Sequence, residues 1–149
     1  MATAWRVYDD GKLAIGSSTN LETGTFKMAL LTDAYAPSLE GDLTWTAIKG
    51  NEILAVTNGY VVDGNALANI DWQVSTGTAK WDSDAVTWTQ NGVSNLGPMR
   101  YAVIYDTASD ALICYTDFQS DQTVIGGTGA TFAVGISTSG ILAMSGGTA

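Results

Sequence analysis

Short apolar segments separated by glycine-rich turns are the feature that most restricts how this chain can fold. The chain has seventeen Gly and only two Pro, Thr and Val are frequent, and Glu and Lys are sparse. β-branched residues suit pleated strands, and Gly suits the tight turns between them. The sequence therefore predicts an all-β protein.

About eight to ten short strands can be placed from the alternation of apolar and polar residues. In the strand at 25–31, Phe26, Met28 and Leu30 share one face. The spacing of the strands is that of a sandwich or barrel, and we favour a two-sheet antiparallel β-sandwich of jelly-roll type. The predicted strands are 5–8, 12–15, 25–31, 66–74, 78–81, 85–89, 100–105, 111–118, 130–136 and 140–144.

The chain is predicted to have one folded unit with an extension at each end. Residues 1–20 are expected to form an N-terminal hairpin or arm, because Asp9-Asp10-Gly11 favours a tight turn. Residues 21–149 are expected to form a single β-sandwich domain whose tail, from residue 145, is flexible. Within it, residues 42–48 are predicted to be irregular or a short helix capped by Asp42.

The charge balance argues against two classes of partner. Fifteen Asp and Glu against six Lys and Arg give a formal net charge of −9, which repels both a nucleic-acid backbone and an anionic membrane surface. No apolar run approaches the ~20 residues that span a bilayer. We therefore expect no nucleic acid and no membrane partner. Only 14% of the residues are charged, which suggests that part of the surface is covered by protein contacts.

The sequence offers little material for catalysis. It contains no His, which excludes the Ser-His-Asp and Cys-His arrangements and His-ligated zinc. The lone Cys114 lies in an apolar run and is predicted to be a buried, inert thiol. The segment 126–129 lacks the Lys of a phosphate-binding loop and is predicted to be a turn. We expect a non-enzymatic protein with no catalytic residues, no cofactor and no metal.

Two carboxylate pairs, Asp82 with Asp84 and Asp117 with Asp121, leave an alternative open. Paired carboxylates serve in glycoside hydrolysis, and the first pair has a spacing that could supply oxygen ligands to Ca²⁺. Both pairs lie in segments that resemble turns, where Asp hydrogen-bonds the local backbone. A structural role is therefore favoured.

The five tryptophans are predicted to fill the core and contacts between subunits. An alternative is that three of them, Trp72, Trp81 and Trp88, form a platform on which sugar rings stack. The other two are Trp5 and Trp45.

Six motifs lie along the chain from residue 26 onwards: Phe26-Lys27-Met28-Ala29-Leu30-Leu31-Thr32, Tyr35-x-Pro37, Gly59-Tyr60, Asp63-Gly64-x-x-Leu67, Ala85-Val86-Thr87-Trp88 and Arg100-Tyr101-Ala102-Val103-Ile104-Tyr105. Together they resemble a group of small tailed-phage virion proteins encoded among the head and tail structural genes. The resemblance covers about residues 26–141 and implies a decoration, or cement, protein on the capsid surface. It further implies a homotrimer bound to the major capsid protein, and the lack of a secretion signal fits synthesis in the host cytoplasm.

Two other roles remain open: a glycan- or receptor-binding module of a phage fibre, and a head–tail joining or tail-tube subunit that assembles as a larger ring. For contacts with a partner we predict Trp5, Arg6 and Tyr8, because aromatic residues and Arg are enriched in interfaces. Arg100 is a further candidate.

Overall fold

The structure is a computed structural model, and it describes residues 4–146. It confirms the all-β prediction, because several antiparallel sheets pack together as in a β-sandwich. Two short helices, Asp9–Ser17 (α1) and Trp45–Ile48 (α2), interrupt the strands. The strands are Arg6–Val7 (β1), Phe26–Leu31 (β2), Asn65–Ala66 (β3), Asp71–Ser75 (β4), Thr78–Asp82 (β5), Val86–Thr89 (β6), Leu96–Asp106 (β7), Leu112–Val124 (β8), Thr131–Val134 (β9) and Leu142–Ser145 (β10).

The largest sheet has five strands in the order β1-β8-β7-β2-β3. The predicted hairpin of β7 and β8 is confirmed, with Tyr101 opposite Asp117 and Ile104 opposite Cys114. Strand β2 is buried on both faces. Its Phe26, Met28 and Leu30 share one face as predicted and lie in the main core.

Two smaller antiparallel sheets, β10-β5-β4 and β6-β9, form a second layer. Their Trp81, Trp88 and Val134 pack in the main core with the five-stranded sheet. On the opposite face of that sheet, residues 33–51 cover a second core that includes Trp45 and Ile48 from α2. The five-stranded sheet therefore lies between two apolar layers.

The hairpin predicted for the N-terminal residues is wrong, because residues 9–17 form helix α1. Asp9 and Asp10 lie in its first turn, where carboxylates interact favourably with the helix dipole. Strand β1 pairs with β8, and α1 packs against the same strand at Gly11. The described part of residues 1–20 therefore belongs to the domain and is not a separate arm.

Three smaller predictions need correction. Helix α2 is capped by Thr44, whose hydroxyl accepts the Ala47 amide, and Asp42 instead accepts the Ser38 amide. The strand predicted at 66–74 is divided into β3 and β4. In the predicted tail, Ser145 ends β10. Residues 147–149 lie outside the described residues, so the mobility of the tail stays a prediction.

Candidate functional site

Two of the four residues predicted to contact a partner, Arg6 on β1 and Arg100 on β7, lie on the strands that flank β8. Arg6 is opposite Tyr115 on β8, and Asp117 follows Tyr115 by two residues along the same strand. Asp117 accepts hydrogen bonds from Arg100 Nε at 2.5 Å and Nη2 at 3.3 Å. A hollow of about 390 Å³ is lined by Ala4, Arg6, Tyr115 and Asp117. These four residues and Arg100 are called the β1-edge surface below.

The other two predicted contact residues point towards the interior. The hydroxyl of Tyr8 lies 2.7 Å from that of Tyr35, and Tyr8 is fully buried. Burial raises the pKa of Tyr8 above its ordinary value, so the group stays a neutral hydroxyl. Tyr8 has no surface left for a partner, which contradicts the interface role predicted for it. Trp5 is half-buried against the main core and exposes only part of its ring.

The ion pair on the β1-edge surface makes stability depend on pH. Hydrogen bonds from Arg100 and from the Gln119 amide hold the pKa of Asp117 below its usual value. A carboxyl with a lowered pKa in the folded state stabilises the fold above the usual aspartate pKa of about 3.9. That contribution is lost as the pH falls through the lowered pKa.

Asp117→Asn is therefore expected to be less stable than the wild type at pH 7 and about as stable at a pH well below the usual aspartate pKa of about 3.9. Urea unfolding at both pH values measures the difference. Asp121→Asn, which changes the same charge at an exposed neighbouring position, is the control. Equal losses at pH 7 and at low pH would show that the Arg100 pair is not the cause.

Cys114 and the carboxylate pair Asp82 and Asp84 have structural surroundings in the fold. Cys114 is fully buried, and burial raises the pKa of its thiol, which keeps it protonated and unreactive. Asp82 pairs with Lys80 at 2.9 Å, and Asp84 accepts a hydrogen bond from Asn69 at 2.7 Å. Within residues 4–146, no group of three or more Cys, Asp or Glu side chains could hold a metal ion.

Glu52, which the sequence analysis did not single out, is a half-buried carboxylate. It accepts hydrogen bonds of 2.7 Å from the Tyr60 hydroxyl and from the Asp63 amide. Burial raises the pKa of Glu52, and the two hydrogen bonds oppose that shift. Both bonds tie the ends of one loop together, which indicates a structural role.

The three tryptophans proposed as a sugar platform do not form one. Trp81 and Trp88 are buried in the main core. Trp72 alone reaches an open cleft of about 690 Å³ beside the end of α1, where polar residues such as Lys12, Ser17 and Asn20 line the walls. The structure therefore offers one half-buried aromatic ring in a cleft lined by both polar and apolar residues, which is a smaller site than the predicted platform.

A further surface is formed where three loops meet: residues 54–59, 91–95 and 125–129. The buried Asn58 side chain donates to the carbonyl oxygens of Leu54 at 2.9 Å and Asn95 at 3.0 Å. Asn95 Oδ1 accepts the Gly126 amide at 2.8 Å. These bonds join the first loop to the second and the second to the third.

The same loops approach each other too closely for larger residues. Gly92 has φ of +116°, and a Cβ atom there would lie 2.2 Å from the Thr57 carbonyl oxygen. The buried Gln90 side chain donates to the Gly92 carbonyl at 2.7 Å and accepts the Gly129 amide at 3.1 Å. Close packing and side-chain hydrogen bonds therefore hold the three loops in fixed positions relative to one another.

The three loops carry exposed aliphatic side chains and no charge. The exposed fractions are 73% for Leu54, 48% for Val56, 87% for Val93 and 60% for Ile125. None of the three segments contains Asp, Glu, Lys or Arg, although the chain has fifteen acidic and six basic residues. We call residues 54–59, 91–95 and 125–129 the three-loop surface. No motif in the sequence indicates this surface, and its only signal there is the lack of charge in three separate segments.

Comparisons with known proteins add no relative. No protein-family model matches the chain, and neither a curated protein nor a solved structure is similar to it at a significant level. Within the described part of the chain, no helix is long and apolar enough to cross a membrane.

Proposed function

We propose that this protein is a decoration, or cement, protein of a tailed-phage capsid. It binds the assembled shell as an oligomer, a trimer, and stabilises the shell. The observation that carries the proposal is that the protein has two kinds of surface. The three-loop surface is uncharged and exposes aliphatic side chains, whereas the rest of the chain carries the whole net charge of −9. Apolar surfaces of this kind mark protein contacts. The resemblance of residues 26–141 to phage virion proteins supports the phage origin.

The role follows from mass action and requires no bond-making step. A shell under internal pressure fails at the junctions between its subunits, and an oligomer that bridges them adds buried area there. A standard interface buries about 1,600 Å². Because the oligomer binds the assembled state and not the separated subunits, it shifts the equilibrium towards the assembled shell.

The β1-edge surface is proposed as the contact with the major capsid protein. It combines an exposed cation, Arg6, with the Arg100–Asp117 ion pair. Charged groups suit a contact between unlike proteins, since the partner can present the complementary charge. This assignment keeps the predicted roles of Arg6 and Arg100 and gives up that of Tyr8. Trp5 is not part of the β1-edge surface and packs against the main core, so its contact role stays a prediction.

Cosedimentation with capsid shells tests the proposal. We expect the protein to bind assembled shells and not the free major capsid protein, and we expect Arg6→Glu to weaken binding about tenfold. Lys12→Glu, which makes the same charge change at an exposed position on α1, should bind like the wild type. Absence of binding to shells contradicts the function, and equal losses in both variants contradict the assignment of the β1-edge surface.

The Trp72 cleft supports a second candidate, a glycan-binding module of a phage fibre. An aromatic face packs well against a sugar ring, and the polar wall residues could hydrogen-bond its hydroxyl groups. Two results together would favour this function over the first. The wild type would bind a glycan on an array but would not bind capsid shells, and Trp72→Ala would lose the glycan binding.

A further inference from the structure

We infer that the three-loop surface is the contact between copies of this chain. The inference rests on the proposed function in one respect: both require the protein to be an oligomer. It goes beyond that function because it assigns self-association and shell binding to different surfaces of the domain.

The charge distribution favours a second copy as the occupant. Each copy carries a net charge of −9, so two copies repel each other wherever their acidic surfaces meet. Near a rotation axis, a side chain also meets the same side chain of its neighbour. A charged residue would then face its own charge, whereas Leu54, Val93 and Ile125 would face other aliphatic groups. The three-loop surface is free of charge and meets this requirement.

The hydrogen bonds between the three loops favour association without a change in loop conformation. Association costs free energy when loops and side chains become ordered at the interface. Here Asn58, Gln90 and Asn95 already tie the three loops together through side-chain hydrogen bonds. The aliphatic groups therefore lie on a preformed surface. Little of the free energy gained by burying them is spent on ordering the loops.

An unlike partner would fit this surface less well. A partner of different sequence could complement charged residues, and such residues increase both the rate and the specificity of association. Their absence from all three segments avoids like-charge repulsion between identical copies and has no such advantage for a contact with another protein.

Sedimentation velocity of the purified protein, residues 1–149, tests the inference. We expect the wild type to have a mass of three times 15.6 kDa. Val93→Glu and Ile125→Glu each place like charges at the contact and should weaken association by about 100-fold or more. Val74→Glu is the matched control, because Val74 is 71% exposed but lies on β4, outside the three-loop surface. It should keep the mass of the wild type.

Hydrogen exchange on the wild type gives a second measurement that does not depend on the folding of a variant. Amides of residues 91–95 and 125–129 should exchange more slowly at a high protein concentration than at a low one. Amides of the β4–β5 turn, residues 75–78, should not change.

Three results would overturn the inference: a wild type that stays monomeric, loop variants that keep the wild-type mass, or loop amides whose exchange is independent of concentration. Slower exchange of these amides only when the major capsid protein is added would identify an unlike partner and would also overturn it. A trimer that the loop variants dissociate but that binds no shell leaves the inference standing and removes the proposed function.

Discussion

Trp81→Ala is expected to lower the free energy of unfolding by about 3–5 kcal/mol, the usual range for removing a large buried aromatic side chain. Trp81 is fully buried on β5, and its ring packs edge-on against Phe26 with 4.8 Å between the ring centroids. Its indole N–H donates to the Leu21 carbonyl at 2.8 Å. The substitution therefore leaves both a cavity and a buried carbonyl oxygen without its partner. Urea unfolding at pH 7 measures the loss.

The neighbouring tryptophan supplies the control. Trp72 lies opposite Trp81 on β4 but is only half-buried, so Trp72→Ala removes less buried area and should cost less than half as much. Similar losses in the two variants would mean that the complete burial of Trp81 does not decide how much stability its removal costs.

Gly11→Ala is expected to destabilise the protein by about 2–3 kcal/mol, as overpacking of a close contact does. A Cβ atom at Gly11 would lie 2.6 Å from the Ile113 carbonyl oxygen and 2.7 Å from that of Leu112. Both are backbone atoms of β8, so α1 has to move away from the sheet.

Gly16 in the same helix gives the opposite expectation. A Cβ atom there meets no atom within 4 Å apart from its chain neighbours and the backbone of its own helix, and alanine is favoured over glycine in a helix by up to about 1 kcal/mol. Gly16→Ala should therefore raise the melting temperature, whereas Gly11→Ala should lower it. If both variants shift the melting temperature in the same direction, the close approach of α1 to β8 does not explain the effect of Gly11→Ala.

The strands that were predicted best are those with long apolar runs. The segments around Phe26–Leu31 and the β7–β8 hairpin are apolar over many residues, and local pattern and tertiary packing agree there. At Asp9-Asp10-Gly11 the local sequence pattern and the tertiary packing disagree. This tripeptide suits a hairpin turn, but acidic residues also suit the first turn of a helix. The contact of Gly11 with β8, which the sequence does not reveal, decides in favour of the helix.

The candidate surfaces were only partly predictable for the same reason. Arg6 and Arg100 are residues of the type enriched in interfaces. The pairing of β1 with β8 brings Arg6 close to Asp117, and the pairing of β7 with β8 does the same for Arg100. Tyr8 belongs to the same class of residues, but it is buried and its hydroxyl lies against that of Tyr35. The three-loop surface depends on hydrogen bonds such as the one from Asn58 to Asn95, across 37 residues, and no local pattern indicates such pairings.

Electron cryo-microscopy of capsid shells incubated with the purified protein tests the account most directly. The account predicts added density at the junctions between capsid subunits, in which three copies meet at residues 54–59, 91–95 and 125–129 and the β1-edge surface faces the shell. Shells without added density, or copies that contact one another through other surfaces, would contradict it.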